Sequence, residues 1–109
     1  MKMITAIVNK KDTADVCRSL TDNGFEFTKL ATTGGFLRDG NTTLLIGVQD
    51  DKLQDALEVI RRNCAQRLQK VPTLPSSEMA ATAYQAFPAE VTVGGAIVFV
   101  SDVLHFEKM

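Results

Sequence analysis

Few side chains in this sequence could do chemistry. The chain holds one histidine, His105, and two cysteines, Cys17 and Cys64. A His-rich or Cys-rich metal site cannot be built from that inventory within one chain. His105 lies close to Asp102 and Glu107, but the spacing matches no strong ligand motif, and a solvated histidine is the plainer reading. The sequence contains no P-loop, no GxSxG and no HExxH. We therefore expect no catalytic centre, no metal and no bound cofactor. The segment Gly34-Gly35-Phe36-Leu37-Arg38 is more informative. Phe36 sits in a glycine-rich loop, where an aromatic ring has little core to fill.

The elements that must position such a loop follow from composition and pattern. The 109 residues suit one domain, 1–109. Hydrophobic residues make up 45% and charged ones 23%, an ordinary globular balance rather than a disordered one. Twelve basic against thirteen acidic side chains give a net charge of -1, without the basic excess of a general nucleic-acid binder. No apolar run is long enough to span a bilayer, and Met1–Thr5 lacks a signal-peptide layout, so a cytoplasmic location is expected. Both cysteines fall on apolar helix faces, where a thiol acts as a small hydrophobe.

Met3–Val8 is apolar and too short for a stable helix, so it reads as a buried strand. Asp12 or Thr13 is the expected N-cap of a first helix carrying Ala14, Val16, Cys17 and Leu20 on one face. Gly24 is placed to end that helix in the left-handed conformation. Strands follow from Phe25 and Phe27 through Leu30 to about Thr33 and from Thr42 to Val48, joined by a short loop. Asp50 or Asp51 is expected to cap a second helix with the stripe Leu53, Ala56, Leu57, Ile60 and Cys64. Arg61, Arg62 and Arg67 read as its solvated face. A long flexible loop at about 68–87 contains Pro72 and Pro75. Strands at Glu90–Val93 and Ala96–Val100, the latter reaching toward Leu104, flank a turn at Gly94-Gly95.

This order predicts an α+β, ferredoxin-like (split βαβ) fold with an extra C-terminal strand. Two helices cover only one face of such a sheet. Near-continuous apolar strands imply that the other face is covered too, so an oligomer is expected.

Three stretches carry a resemblance to a known family: Lys29–Arg38 followed by Gly40-Asn41-Thr42-Thr43; Val91–Val100; and Met1–Ile4. With these, the chain resembles the PII-like cyclic di-AMP receptors (PstA or DarA) along nearly its whole length. The resemblance implies a homotrimeric PII-like sandwich with a ligand pocket at each subunit interface. It implies a signal-transduction protein rather than an enzyme, with cyclic di-AMP as regulatory ligand and an unknown downstream protein as partner. It implies no nucleic-acid partner and no membrane insertion. Relay is expected through ordering of the long loop.

The positions that resemble the family's pocket are Thr28, Gly35, Phe36, Leu37, Asn41, Gly47 and Phe99. Phe36 and Phe99 would flank adenine, each stack contributing roughly 1–3 kcal/mol. Leu37 and Gly47 would offer backbone groups to a base edge, and Thr28 and Asn41 polar contacts. Gly34 and Gly35 would turn N–H groups toward an anion. Two positions depart from the pattern. Gly24 replaces an asparagine, and Glu26 replaces a phosphate-contacting arginine, which implies weakened affinity. Lys108 is a candidate replacement charge. The alternative is a diverged paralogue that binds another nucleotide, or none, and acts through protein–protein contacts.

Overall fold

A computed structural model describes residues 1–32, 40–71 and 89–109. Six strands and two helices run in the order β1 (Lys2–Asn9), α1 (Thr13–Asp22), β2 (Phe27–Thr32), β3 (Asn41–Val48), α2 (Leu53–Cys64), β4 (Arg67–Val71), β5 (Ala89–Val93) and β6 (Ala96–Asp102). A four-stranded sheet has the order β2-β3-β1-β6, and β4 pairs with β5 in a separate ribbon. All four pairings are antiparallel. The main sheet with two helices has the ferredoxin-like arrangement. The fourth strand is β6 itself. The additional strands are β4 and β5, so the expected extra strand joins the ribbon rather than the sheet.

The core follows from period-two alternation along β1. Ile4, Ala6 and Val8 are fully buried, as are Leu44 and Ile46 on β3. Val16, Leu20, Ala56, Val59, Ile60 and Cys64 close this layer from the helices. Each buried aliphatic side chain stabilises the fold by roughly 1.5–3 kcal/mol relative to exposure. The expected α2 stripe is present, with Leu53 and Leu57 packed at its margin.

Helix ends depart from expectation at the N-termini and agree at one C-terminus. Short 3-10 turns, Lys10–Asp12 and Asp50–Lys52, precede the two helices. Asn9 caps the first turn, its side chain accepting from the Lys11 N–H at 2.9 Å. Asp12 makes no capping hydrogen bond, nor does Thr13, whose hydroxyl donates to the Asn9 carbonyl. Asp50 is held by the N-terminal amine at 2.8 Å, and no side chain caps α2. After α1, Gly24 takes φ +80°. Its N–H donates to the Thr21 carbonyl, and the Phe25 N–H donates to Leu20. These are the two bonds of a Schellman stop.

Four further expectations are corrected. Arg67 lies in β4, where it pairs with buried Asp12 instead of facing solvent from a helix. Strand β4 runs to Val71, inside the stretch expected to be loop. Strand β6 ends at Asp102 rather than nearer Leu104. Gly94-Gly95 does not close a hairpin, because β5 pairs with β4 while β6 pairs with β1. Both glycines have positive φ and turn the chain from one sheet into the other.

Both cysteines are free. Burial pushes the Cys64 thiol up to about 12, helped by the nearby charge of Asp12. Burial also raises Cys17. Cys64 therefore stays neutral when folded but ionises near the ordinary value of ~8.5 when unfolded. Its contribution is intact below ~8.5 and is lost as pH rises toward the folded value. Stability to urea should fall over that range, and Cys64→Ala should flatten the decline. Fast alkylation of Cys64 in the native protein at neutral pH would contradict the burial.

Candidate functional site

Register places three of the expected site residues on the sheet face away from the helices. Thr28 pairs with Leu45, Leu45 with Thr5, and Thr5 with Phe99. These four form one row across the sheet, with Thr28 and Phe99 about 14 Å apart at three strand spacings. Gly47 lies in the adjacent row, opposite Met3 and Ser101. Among the described residues, nothing covers this face. Phe99 is 52% exposed and Leu30 44%, while Met3, Ile7, Leu45 and Ile97 are half-buried.

At one end of the sheet, a cavity of about 290 Å³ joins Gly24, Glu26, Gly47 and Lys52, with Met1 and Phe25 also on its wall. The Schellman stop swings the chain across the end of α1 and delivers Gly24–Glu26 there. Glu26 precedes the first residue of β2, so strand alternation does not set its direction. The cavity places it beside Gly47. An added Cβ at Gly47 would meet only the Met1 Cε, at 3.6 Å, so no close backbone neighbour demands glycine here. Its bareness leaves an open strand surface.

Lys52 is the residue that sequence reasoning missed. It closes the 3-10 turn before α2 and shares the cavity with Glu26. No ion pair joins them among the described residues. The two lie far apart in sequence, and no local motif marks them. Lys52 is thus a cation already on the wall where Glu26 supplies an anion. Lys108, in the C-terminal tail, does not line this cavity.

Asn41 is not brought to this cavity. It is 7% exposed and pairs in register with Asn9 and Thr32. It stands about 20 Å from Gly47, six residues along the same strand. Gly35, Phe36 and Leu37 lie outside the described residues, as does Gly34. The C-terminal polar groups are engaged elsewhere. Asp102 pairs with Lys2, and His105 bonds Glu107 at 3.0 Å. Among the described residues no group of three metal-ligating side chains gathers, and no helix is long and apolar enough to cross a membrane.

A larger cavity, about 420 Å³, lies between α2 and the corner into β6. Leu57, Ile60, Cys64 and Val98 line it, with Arg61 its single charged group among the described residues. Among the described residues it holds none of the expected site residues, and its mainly apolar wall offers little to a phosphate. The smaller cavity has the more suitable chemistry.

Comparison with known proteins decides the family. Residues 1–109 match the profile of the cyclic-di-AMP receptor family. The chain belongs to that family. It is also similar to a crystal structure of a functionally unknown protein from Pediococcus pentosaceus ATCC 25745. That match has 35% identity and a TM-score of 0.80, covering 99% of this chain and 96% of the other. In this member of the family the cavity wall carries a carboxylate, Glu26. A cyclic dinucleotide carries two phosphodiester anions, so an unpaired carboxylate opposes them while Lys52 favours them.

Proposed function

We propose that this protein is a cytoplasmic, non-enzymatic receptor that binds cyclic di-AMP at the subunit interfaces of a homotrimer. The observation that carries the reading is the division of the site. The cavity of about 290 Å³ is below the usual range for a drug-sized ligand, ~300–1,000 Å³. Two adenines and two phosphodiesters cannot be enclosed there. The row from Thr28 to Phe99, uncovered among the described residues, continues the surface, and a neighbouring subunit would complete the enclosure. Leu104, Phe106 and Met109 support association as well, being 97%, 66% and 104% exposed in one chain. Binding is relayed to a downstream protein through the connection between β4 and β5. Glu26 and Gly24 weaken the affinity.

Equilibrium dialysis with labelled cyclic di-AMP tests the site. Phe99→Ala should reduce affinity about five- to hundredfold, the equivalent of one base stack of ~1–3 kcal/mol. Arg18→Ala, on the exposed side of α1, should leave it unchanged. Equal affinity for wild type and Phe99→Ala would remove the sheet face from the site. If the wild type binds no nucleotide, the unpaired Glu26 carboxylate favours the other reading, a diverged paralogue acting through protein contacts.

A further inference from the structure

A cavity of about 340 Å³ gathers side chains from four elements: Lys10, Thr13, Lys29 and Thr42. Lys10 opens the turn before α1, Thr13 starts α1, Lys29 lies in β2 and Thr42 in β3. Register fixes the face. Lys29 pairs with Leu44, and Thr42 lies opposite Val8. Leu44 and Val8 are fully buried in the layer that the helices close. Residues paired across strands share a face, and neighbours along a strand alternate. Lys29 and Thr42 therefore lie on the helix side of the sheet, opposite to Thr28 and Phe99. The cavity shares no described residue with the one that holds Glu26.

The charged groups on its described wall are both cations. The Lys10 stem runs along Gly40, where an added Cβ would stand 3.7 Å from Lys10 Cδ. Lys29 leans toward α1. Burial raises the Cys17 thiol, one turn beyond Thr13, and the charge of Lys29 opposes that rise. Neither lysine has an ion-pair partner among the described residues. The acidic groups of the adjoining turn are engaged elsewhere, Asp12 by Arg67 at 2.8 Å and Asp15 by Arg18 at 3.7 Å. The positive end of the α1 dipole adds to the same sign of field.

The hydroxyls divide the remaining work. The Thr13 hydroxyl donates to the Asn9 carbonyl at 3.2 Å, so its oxygen is left to accept. The Thr42 hydroxyl makes no hydrogen bond among the described residues and can donate. Two ammonium groups and a hydroxyl donor suit a doubly charged anion better than a single carboxylate. A phosphoryl group carries nearly two charges at neutral pH. The volume lies within the range of small-ligand sites, ~300–1,000 Å³, which leaves room for a small organic group beside the phosphate.

We propose that Lys10, Lys29 and Thr42 form a second anion site, which takes a phosphoryl group, free or carried by a small phosphomonoester. The site goes beyond the receptor reading and does not rest on it, because it lies on the other sheet face and uses none of the residues assigned to cyclic di-AMP.

The test is an amide-resolved NMR titration of the full chain with inorganic phosphate and, separately, with ribose 5-phosphate, at ionic strength held constant with potassium chloride. Ribose 5-phosphate carries the phosphoryl group without a base, so it makes no adenine stack. Saturable shifts centred on Lys10, Thr13, Lys29 and Thr42 are expected with at least one of the two. Tighter binding of inorganic phosphate assigns the free ion, and tighter binding of ribose 5-phosphate assigns a monoester. Lys10→Gln and Lys29→Gln should each weaken binding at least fivefold, and Lys29→Arg should retain most of it. Lys11→Gln, which removes the same charge from the same turn but not from the cavity wall, should leave it unchanged. Phe99→Ala should leave it unchanged too. Shifts that grow without saturation and spread equally to Lys2 and Lys11 would overturn the proposal, because they report surface screening. So would equal losses in the Lys10, Lys11 and Lys29 variants, or no response to either probe. A chain that binds phosphate here but no cyclic di-AMP would overturn the receptor reading and leave this site standing.

Discussion

Replacing Glu26 with arginine should tighten cyclic di-AMP binding by a factor of about ten to several hundred. A charge-assisted hydrogen bond contributes roughly 1.5–3 kcal/mol, and ~1.4 kcal/mol is tenfold in affinity. Removing a carboxylate that opposes phosphate adds to the gain. The structure supplies the reason to expect it at this position. Glu26 shares a cavity with Gly24, Gly47 and Lys52, and no cation pairs with it among the described residues. Glu26→Gln separates the two contributions, since it removes the repulsion without adding a donor cation. Its gain should be smaller, and Lys52→Ala should weaken binding. If Glu26→Arg leaves the affinity unchanged or lowers it, phosphate does not approach this wall.

Gly94→Ala should destabilise the fold by about 2–5 kcal/mol in urea titration. Left-handed backbone costs an alanine roughly 1–2 kcal/mol, and Gly94 has φ +80°. The added methyl would also stand 2.6 Å from Arg67 Nη1 and 3.0 Å from the Ala65 carbonyl. The guanidinium can swing aside, but only by leaving the buried Asp12 carboxylate. Arg67 is half exposed, so solvent screens part of that loss. Gly95 is the internal control. It has φ +92°, yet a Cβ there meets nothing closer than Gln66 Cβ at 3.8 Å. Gly95→Ala should therefore carry the backbone cost alone. Equal effects at the two positions would contradict the packing around Arg67.

The parts of this fold legible in sequence are those governed by local physics. The Met3–Val8 run, the apolar stripe from Leu53 to Cys64 and the helix stop at Gly24 each depend on near neighbours. What the sequence obscured depends on distant partners. Asp12 has the ordinary position and chemistry of an N-cap, but Arg67, 55 residues away, captures it. Strand β4 is short and mostly polar, and it exists as a strand through its pairing with β5. Gly94-Gly95 resembles a hairpin turn because paired glycines suit both a hairpin and a corner between sheets. The site divides in the same way. Thr28 and Phe99 were legible through the family resemblance, and the strand register then set them in one row. Lys52 was not legible, because nothing local relates it to Glu26.

The most direct test of the receptor reading is calorimetric titration of the purified chain with cyclic di-AMP, with cyclic di-GMP and ATP as controls. Saturable, selective binding of cyclic di-AMP at micromolar or lower concentration is expected, with one ligand per subunit. Heats no larger than dilution for cyclic di-AMP, under conditions where the protein is folded, would contradict it and leave a member of this receptor family that has lost the nucleotide.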